Sequence, residues 1–201
     1  VAGRTDRAIT TDMLRFHQIE HTTENWDRFV SAYLTHLPQQ LAARDGLILP
    51  GGESTTVGKL LDRFGLDRVL IDRVNAGMPI YGTCAGLILL ATEIVDSDQH
   101  RLSLLNATVA RNAFGRQIDS FEADIPVSVI GDRPLRAVFI RAPYVVRAGQ
   151  DVEVLAAFED KIVAVRQKNI LGSAFHPELT GDTRFHELFV NMVREYQSQS
   201  Q

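Results

Sequence analysis

One cysteine, one histidine and one glutamate have the types and the setting to form a catalytic group. Cys84 is the only cysteine of the 201-residue chain, and it stands between Gly82 and Gly86 in "YGTCAGLILLA". His176 and Glu178 are two positions apart in "SAFHPELT". A thiolate can attack a carbonyl carbon, a histidine can move the protons, and a carboxylate can orient the histidine. Lone cysteines are more often small buried residues, but the three residues together favour nucleophilic catalysis.

The segment around Cys84 predicts the turn that such a nucleophile needs. The apolar "PIYGT" at residues 79–83 is typical of a buried strand, and "CAGLILLATEIV" begins a helix directly after it. A strand that turns sharply into a helix holds the nucleophile above the sheet edge, and the helix N-terminus favours thiolate over thiol. Because Gly82 and Gly86 allow the turn to close without a clash, we predict a nucleophile elbow at Cys84.

A glycine pair in "LPGGESTT" is a third candidate part of the site. Gly51 and Gly52 follow an apolar run, and a turn there can direct backbone N–H groups toward a developing oxyanion. The plainer alternative is an ordinary strand-to-helix turn in which Ser54 or Thr55 caps the helix. A phosphate-binding loop is excluded, because five residues separate Gly52 from Gly58 and a leucine, not serine or threonine, follows the lysine.

The remaining sequence predicts the scaffold for these residues. Short apolar runs alternate with helical patterns over most of the chain, and "DTRFHELFVNMVREY" is typical of a closing amphipathic helix. This order predicts an α/β fold, a three-layer sandwich around a largely parallel sheet. We expect a single domain, with its characteristic part at residues 45–196 and a frayed tail at 197–201. Residues 1–44 are an atypical segment, in which apolar side chains between Trp26 and Leu37 predict one amphipathic helix.

Composition limits the class of protein. Hydrophobic residues make up 45% of the chain and charged residues 23%, as in an ordinary globular protein. A formal net charge of −4 argues against nucleic acid or an anionic membrane as the main partner. One cysteine cannot form an internal disulfide, and no apolar run has the length of a membrane span. We therefore expect a cytoplasmic protein that binds neither nucleic acid nor membrane.

Five sequence motifs resemble those of a known family. They are "LILPGGESTT", "YGTCAGLILLA", "RNAFGRQIDSFE", "VFIRAP" and "AFHPELTGD", in this order between about residues 45 and 195. In these motifs the chain resembles class I, triad-type glutamine amidotransferases. It is most similar to the glutaminase subunits of pyridoxal 5′-phosphate synthase, because "GGEST" and "RNAFGRQ" separate that subfamily from other triad glutaminases. The resemblance implies the flavodoxin-like α/β fold of the class, with the position of the first strand left open.

The resemblance also implies a role for each candidate residue. Cys84 would attack the side-chain amide of L-glutamine, His176 would transfer protons and Glu178 would orient His176. A glutamyl thioester would form, ammonia would leave, and water would release L-glutamate. The residues that would contact glutamine are Gly52, Glu53, Ser54, Arg111, Ile140 and Arg141. An arginine suits the substrate α-carboxylate, but the motifs leave open which of the two binds it, and a surface ion pair is the plainer interpretation of either.

Partners and cofactors follow from the same resemblance. The ammonia would pass to a pyridoxal 5′-phosphate synthase subunit, within a hetero-oligomeric ring complex that makes vitamin B6. The cofactor would be built on the partner, so we expect no cofactor in this chain, neither pyridoxal phosphate nor a metal ion. The expected enzyme is a glutamine amidohydrolase, a glutaminase that serves a lyase.

Residues 1–45 do not have the family's pattern. Members begin with a hydrophobic strand that ends in Gln-Gly, and no Gln-Gly occurs in this segment. An alternative is therefore a catalytically impaired or non-catalytic assembly subunit of the same fold. The late His-x-Glu pair disfavours a free-standing cysteine hydrolase or chaperone-like protein. The same segment contains "HQIEH" at 17–21, which matches an inverted zinc-protease signature, but nothing nearby supplies a third ligand.

Overall fold

The chain divides into two compact units, residues 1–43 and 44–201. The computed structural model describes residues 20, 22–25, 40–41, 43–111 and 120–199. The helix expected between Trp26 and Leu37 lies outside the described residues, as do "HQIEH" except Glu20 and all of "RNAFGRQ" except Arg111. The strands and helices described below all belong to the second unit.

The described part of the second unit has ten strands and four α-helices. The strands are β1 (Leu47–Leu49), β2 (Ile80–Thr83), β3 (Ala91–Ile94), β4 (Leu105–Ala110), β5 (Ser120–Ile125), β6 (Leu135–Ile140), β7 (Tyr144–Ala148), β8 (Glu153–Phe158), β9 (Lys161–Gln167) and β10 (Ile170–Ser173). The helices are α1 (Ser54–Arg63), α2 (Leu66–Asn75), α3 (Ala85–Leu90) and α4 (Arg184–Gln199). Helix α4 runs past residue 197, at which we expected a frayed tail to begin.

The main sheet has the order β1-β2-β10-β9-β7-β4-β3, with β8 also paired to β9, and β5 and β6 form a separate two-stranded sheet. The pairs β1–β2, β2–β10 and β3–β4 are parallel, and the other four pairs of the main sheet are antiparallel. The α/β class is as predicted, but the sheet is mixed rather than largely parallel. The reason is local for two of these four antiparallel pairs, because two-residue turns with positive φ at Glu159, Asp160 and Lys168 join β8 to β9 and β9 to β10. Such turns connect only antiparallel strands.

Helices cover both faces of the sheet, as a three-layer arrangement requires. On one face of β2, the Tyr81 ring lies 5.7 Å from the rings of both Phe185 and Phe189 in α4. Successive strand residues point to opposite faces, so Gly82 faces the other way, toward α3. There the backbone of Gly86 approaches so closely that a side chain on Gly82 would overlap it.

The polypeptide around the predicted elbow is buried without interruption. Every residue from 78 to 91 is buried, which includes all of β2 and all of α3. Helix α3 is apolar on every side, as expected of a helix that is enclosed by the main sheet, including β4, and by α1. Across the described residues, every helix falls short of the length and apolar character that crossing a membrane requires. The elbow therefore rests on a close-packed interior, which restricts its movement.

Candidate active site

Three neighbouring strands bring the candidate residues to one edge of the sheet. Strands β1, β2 and β10 are adjacent and parallel, with Leu49 opposite Gly82 and Ser173 opposite Thr83. Their carboxyl ends therefore meet at the same edge. The glycine pair follows β1, Cys84 follows β2 and His176 follows β10 by a short connection. This edge of an α/β sheet is where such folds bind their ligands.

The structure has the strand, turn and helix that the sequence predicts at Cys84. The residue has φ 50° and ψ −102°, which is an unusual conformation for a residue with a side chain. Such strain persists only where the surroundings enforce it. Here the Cys84 N–H donates to the Ser173 carbonyl at 2.8 Å. Gly86 lies so close to β1 that a Cβ at that position would overlap the Leu49 carbonyl oxygen.

Burial disfavours the ionised form of the Cys84 side chain. It is 8% exposed, and burial raises its pKa to about 11. The Ala85 N–H and the charge of Arg141 act in the opposite direction but do not outweigh burial. The Ala85 N–H at the helix N-terminus lowers the pKa in the expected direction, but burial is the larger effect. The Cys84 sulfur lies 4.0 Å from the Ile140 carbonyl as a weak hydrogen-bond donor.

His176 and Glu178 form a hydrogen-bonded pair beyond the end of β10. His176 Nδ1 lies 2.7 Å from Glu178 Oε1, and the histidine side chain is 12% exposed. A 3₁₀ turn that begins at Pro177 brings the two side chains together. The His176 N–H donates to the Val138 carbonyl at 2.8 Å. A carboxylate acceptor at Nδ1 fixes the proton there and leaves Nε2 as the ring atom that can accept another. Within the described residues, no hydrogen bond joins Cys84 to His176.

The glycine pair lies directly against this histidine. A Cβ on Gly51 would overlap the His176 ring at Cε1, so only glycine fits beside the imidazole in its observed position. Gly52 has φ 147°, in the region that favours glycine. Gly51 is thus explained by the nearby histidine ring and Gly52 by its backbone conformation.

The residues after the glycine pair build the start of α1. Glu53 is the helix N-cap, and its carboxylate accepts hydrogen bonds from the N–H groups of Thr55 and Thr56 at 3.1 and 2.7 Å. The Glu53 carboxylate also accepts a hydrogen bond from the Thr56 hydroxyl. This bond above all, together with the two N–H bonds, lowers the pKa of Glu53 to about 2. The alternative that Ser54 or Thr55 caps the helix is wrong, because α1 begins at Ser54 and the cap position falls on Glu53.

The two candidate arginines lie in different surroundings. Arg141 follows β6, next to Ile140, and is close enough to the Cys84 thiol to lower its pKa. Arg111 follows β4, and its Nη1 donates to Gln99 Oε1 at 2.8 Å. The structure thus places Ile140 and Arg141 beside the thiol, and places Arg111 beside the polar start of α1.

Sequence reasoning missed three groups at this site. The Ala85 N–H points to the Cys84 sulfur, and the signal was available, because the residue after an elbow nucleophile commonly serves an oxyanion. The Ser173 carbonyl holds the Cys84 N–H, but a backbone contact between distant strands leaves no mark in the sequence. Gln99 holds Arg111 from a loop that has no recognisable motif.

Other clusters and cavities lie away from Cys84. Among the described residues, Asp62, Asp67 and His100 could together offer ligand atoms to a metal ion, since these atoms lie within 4.8 Å of one another. Of these residues Asp62 lies in the last turn of α1, about three helical turns from the glycine pair. A cavity of about 420 Å³ between the β9–β10 turn and the end of α4 contains none of the candidate residues. Neither feature shares a residue with the site.

Comparison with known proteins decides the family. The model of the SNO glutamine amidotransferase family matches residues 14–195. The chain belongs to this family. The match begins well before residue 45, so it includes most of residues 1–44, which contain none of the five family motifs.

Curated members of the family cover most of the chain. The pyridoxal 5′-phosphate synthase subunit PdxT of Carboxydothermus hydrogenoformans is 56% identical over 156 residues, 78% of this chain and 82% of that protein. The same subunit of Herpetosiphon aurantiacus is 53% identical over 178 residues, 87% of this chain and 94% of its own. A crystal structure of a glutamine amidotransferase superposes with a TM-score of 0.74 at 49% identity, over 78% of this chain and 82% of that one. The predicted family and fold class are confirmed.

Proposed function

We propose that this chain is a glutaminase that hydrolyses L-glutamine to L-glutamate and ammonia, with Cys84, His176 and Glu178 as its catalytic residues. One observation carries the proposal: the strained elbow of Cys84 and the hydrogen-bonded His176–Glu178 pair end adjacent parallel strands at one sheet edge. Membership in a glutamine amidotransferase family supports glutamine as the substrate.

The chemistry begins with transfer of the Cys84 proton. The thiol turns from the Ile140 carbonyl toward His176, whose Nε2 takes the proton as Glu178 supports the charged ring. The sulfur attacks the amide carbon of glutamine, and the resulting oxyanion is stabilised by the Ala85 N–H together with the backbone of the Gly51–Gly52 turn. His176 then protonates the departing nitrogen, which leaves as ammonia. Water attacks the thioester carbon and gives a proton to His176. The C–S bond then breaks, the Cys84 sulfur takes that proton back, and L-glutamate leaves.

Substrate recognition divides between the two ends of glutamine. The uncharged amide must reach Cys84, where Ile140 and Arg141 lie, so the α-carboxylate points away from the sulfur. Arg111 fits that far end, because its Nη1 contacts Gln99 and the Thr55 hydroxyl at the start of α1, whereas Arg141 adjoins Ile140, whose carbonyl faces the thiol. We assign the α-carboxylate to Arg111, with Ser54 and the backbone of Gly52 beside it and the Glu53 carboxylate within reach of the α-ammonium group.

The names of the relatives support a synthase subunit as the partner. Each of those described above is a subunit of pyridoxal 5′-phosphate synthase, so we assign the ammonia to a synthase subunit in a hetero-oligomeric ring complex. A cytoplasmic location is consistent with a single buried free cysteine.

A specific observation favours a second candidate, a non-catalytic assembly subunit. The Cys84 thiol contacts the Ile140 carbonyl and not His176, which is the arrangement expected of a cysteine that has no base. The two candidates differ in turnover, so glutamate and ammonia release from L-glutamine should be measured with and without the synthase subunit of the same organism. We expect equal amounts of both products in the presence of that subunit. Absence of turnover in both conditions, from protein whose circular dichroism shows it folded, would favour the assembly subunit.

A further inference from the structure

A single amide oxygen joins two of the substrate-contact candidates. Gln99 lies in the loop between β3 and β4 and is half-buried. Its Oε1 accepts hydrogen bonds from Arg111 Nη1 at 2.8 Å, from Thr55 Oγ1 at 3.1 Å and from Ser54 Oγ at 3.3 Å. Two of these donors begin α1 and the third follows β4, so the oxygen ties together segments that are distant in the sequence.

The chemistry of the donors fixes which end of the amide is used. An arginine can only donate, so the atom that faces Arg111 must be the oxygen. The other end, Nε2, is buried and has no hydrogen-bond partner in the part of the chain that the structure describes. The site therefore uses Gln99 as an acceptor, and the NH₂ group adds nothing to the contact.

The loop that carries Gln99 is tied to the elbow helix. The N–H groups of Leu102 and Leu104 donate to the carbonyls of Leu89 and Leu90 in α3, at 2.7 and 2.9 Å. The Gln99 carbonyl in turn accepts from Arg101 Nη1 at 3.3 Å. Because α3 begins directly after Cys84, the amide oxygen has a fixed position relative to the nucleophile.

We infer that Gln99 is a positioning residue, which holds the Arg111 guanidinium where the α-carboxylate of the substrate binds. Arg111 is exposed, and a long exposed side chain loses rotamer freedom on binding unless a neighbour has already restricted it. The contact to Gln99 supplies that restriction before glutamine arrives. The inference rests on the proposed function, in which Arg111 binds substrate.

The test is steady-state glutamine hydrolysis, with the synthase subunit present, by Gln99→Leu, Gln99→Glu and the control Gln167→Leu. Gln167 also accepts through its Oε1, from the Asn106 N–H at 2.8 Å, but it lies at the end of β9 away from the site. We expect Gln99→Leu to raise KM about tenfold with kcat within about twofold, since a hydrogen bond to a charged group is lost from ground state and transition state alike. Gln99→Glu keeps an acceptor, so its KM should return to within about threefold of the wild-type value.

A purely structural role of Gln99 would give different results in these measurements. It would lower the melting temperature of Gln99→Leu without a selective rise in its KM. An unchanged KM in Gln99→Leu, or an equal rise in Gln167→Leu, would overturn the inference while leaving the proposed function in place. Failure of the wild-type protein to release glutamate under the same conditions would instead reject the proposed function.

Discussion

Replacing Cys84 by alanine is expected to lower glutamine hydrolysis by at least about 10⁴-fold, because loss of a triad nucleophile removes the covalent route altogether. The fold should survive, since the change deletes one sulfur atom from a buried position and leaves the small side chain that the tight turn accepts. Serine at the same position keeps the size but not the acidity of the thiol, and we expect it to be nearly as inactive.

The measurement is glutamate release by wild type, Cys84→Ala and Cys84→Ser at equal concentration with the synthase subunit present. Melting temperatures of the three proteins separate loss of chemistry from loss of fold. Activity of either variant within tenfold of the wild-type rate would show that glutamine is hydrolysed without this nucleophile.

Replacing Gly86 by alanine is expected to lower the unfolding free energy of the second unit by about 3 kcal/mol or more. Overpacking is most costly where the added atom meets rigid backbone rather than a side chain that can move. The added Cβ would overlap the Leu49 carbonyl oxygen, and neither β1 nor α3 can withdraw without breaking the register of β1 with β2. The glycine pair follows β1, so displacement of this strand should also move Gly51 away from His176 and abolish activity.

Gly181→Ala is the matched control for this change. Nothing lies within 4 Å of the position that its Cβ would take, so we expect its unfolding free energy to stay within about 0.5 kcal/mol of the wild-type value. Urea denaturation of both variants gives the comparison. Equal stability of Gly86→Ala and Gly181→Ala would contradict the close packing of elbow and strand.

The elbow and the His176–Glu178 pair could be predicted because their geometry is local. A strand, two small residues and a helix within a dozen positions specify the turn at Cys84, and a proline between histidine and glutamate specifies their approach. That the two lie together could be expected from parallel strands sharing one edge. The family motifs supplied the remaining candidates for substrate contact, of which Arg111 and Arg141 lie in different surroundings.

Other features depend on tertiary structure that the sequence signals only weakly. The turn at Glu159 and Asp160 has neither the glycine nor the asparagine that is typical of a hairpin, so the antiparallel pairing of β8 with β9 was not foreseen. The raised pKa of Cys84 results from burial by residues distant in the sequence, which outweighs the local effect of the helix N-terminus. Gln99 acts through contacts to two distant segments, and its own neighbours in the sequence give no indication of them.

The most direct test of the central claim, that Cys84 attacks glutamine, is covalent labelling by a diazoketone analogue of L-glutamine in the presence of the synthase subunit. Cys84 is the only cysteine in the chain, so a thioether adduct located by peptide mass spectrometry is unambiguous. We predict one adduct on the peptide that contains Cys84, its suppression by excess L-glutamine, and its absence in Cys84→Ala. Labelling that persists unchanged in Cys84→Ala, or an unlabelled Cys84 in protein that still releases glutamate, would contradict the account.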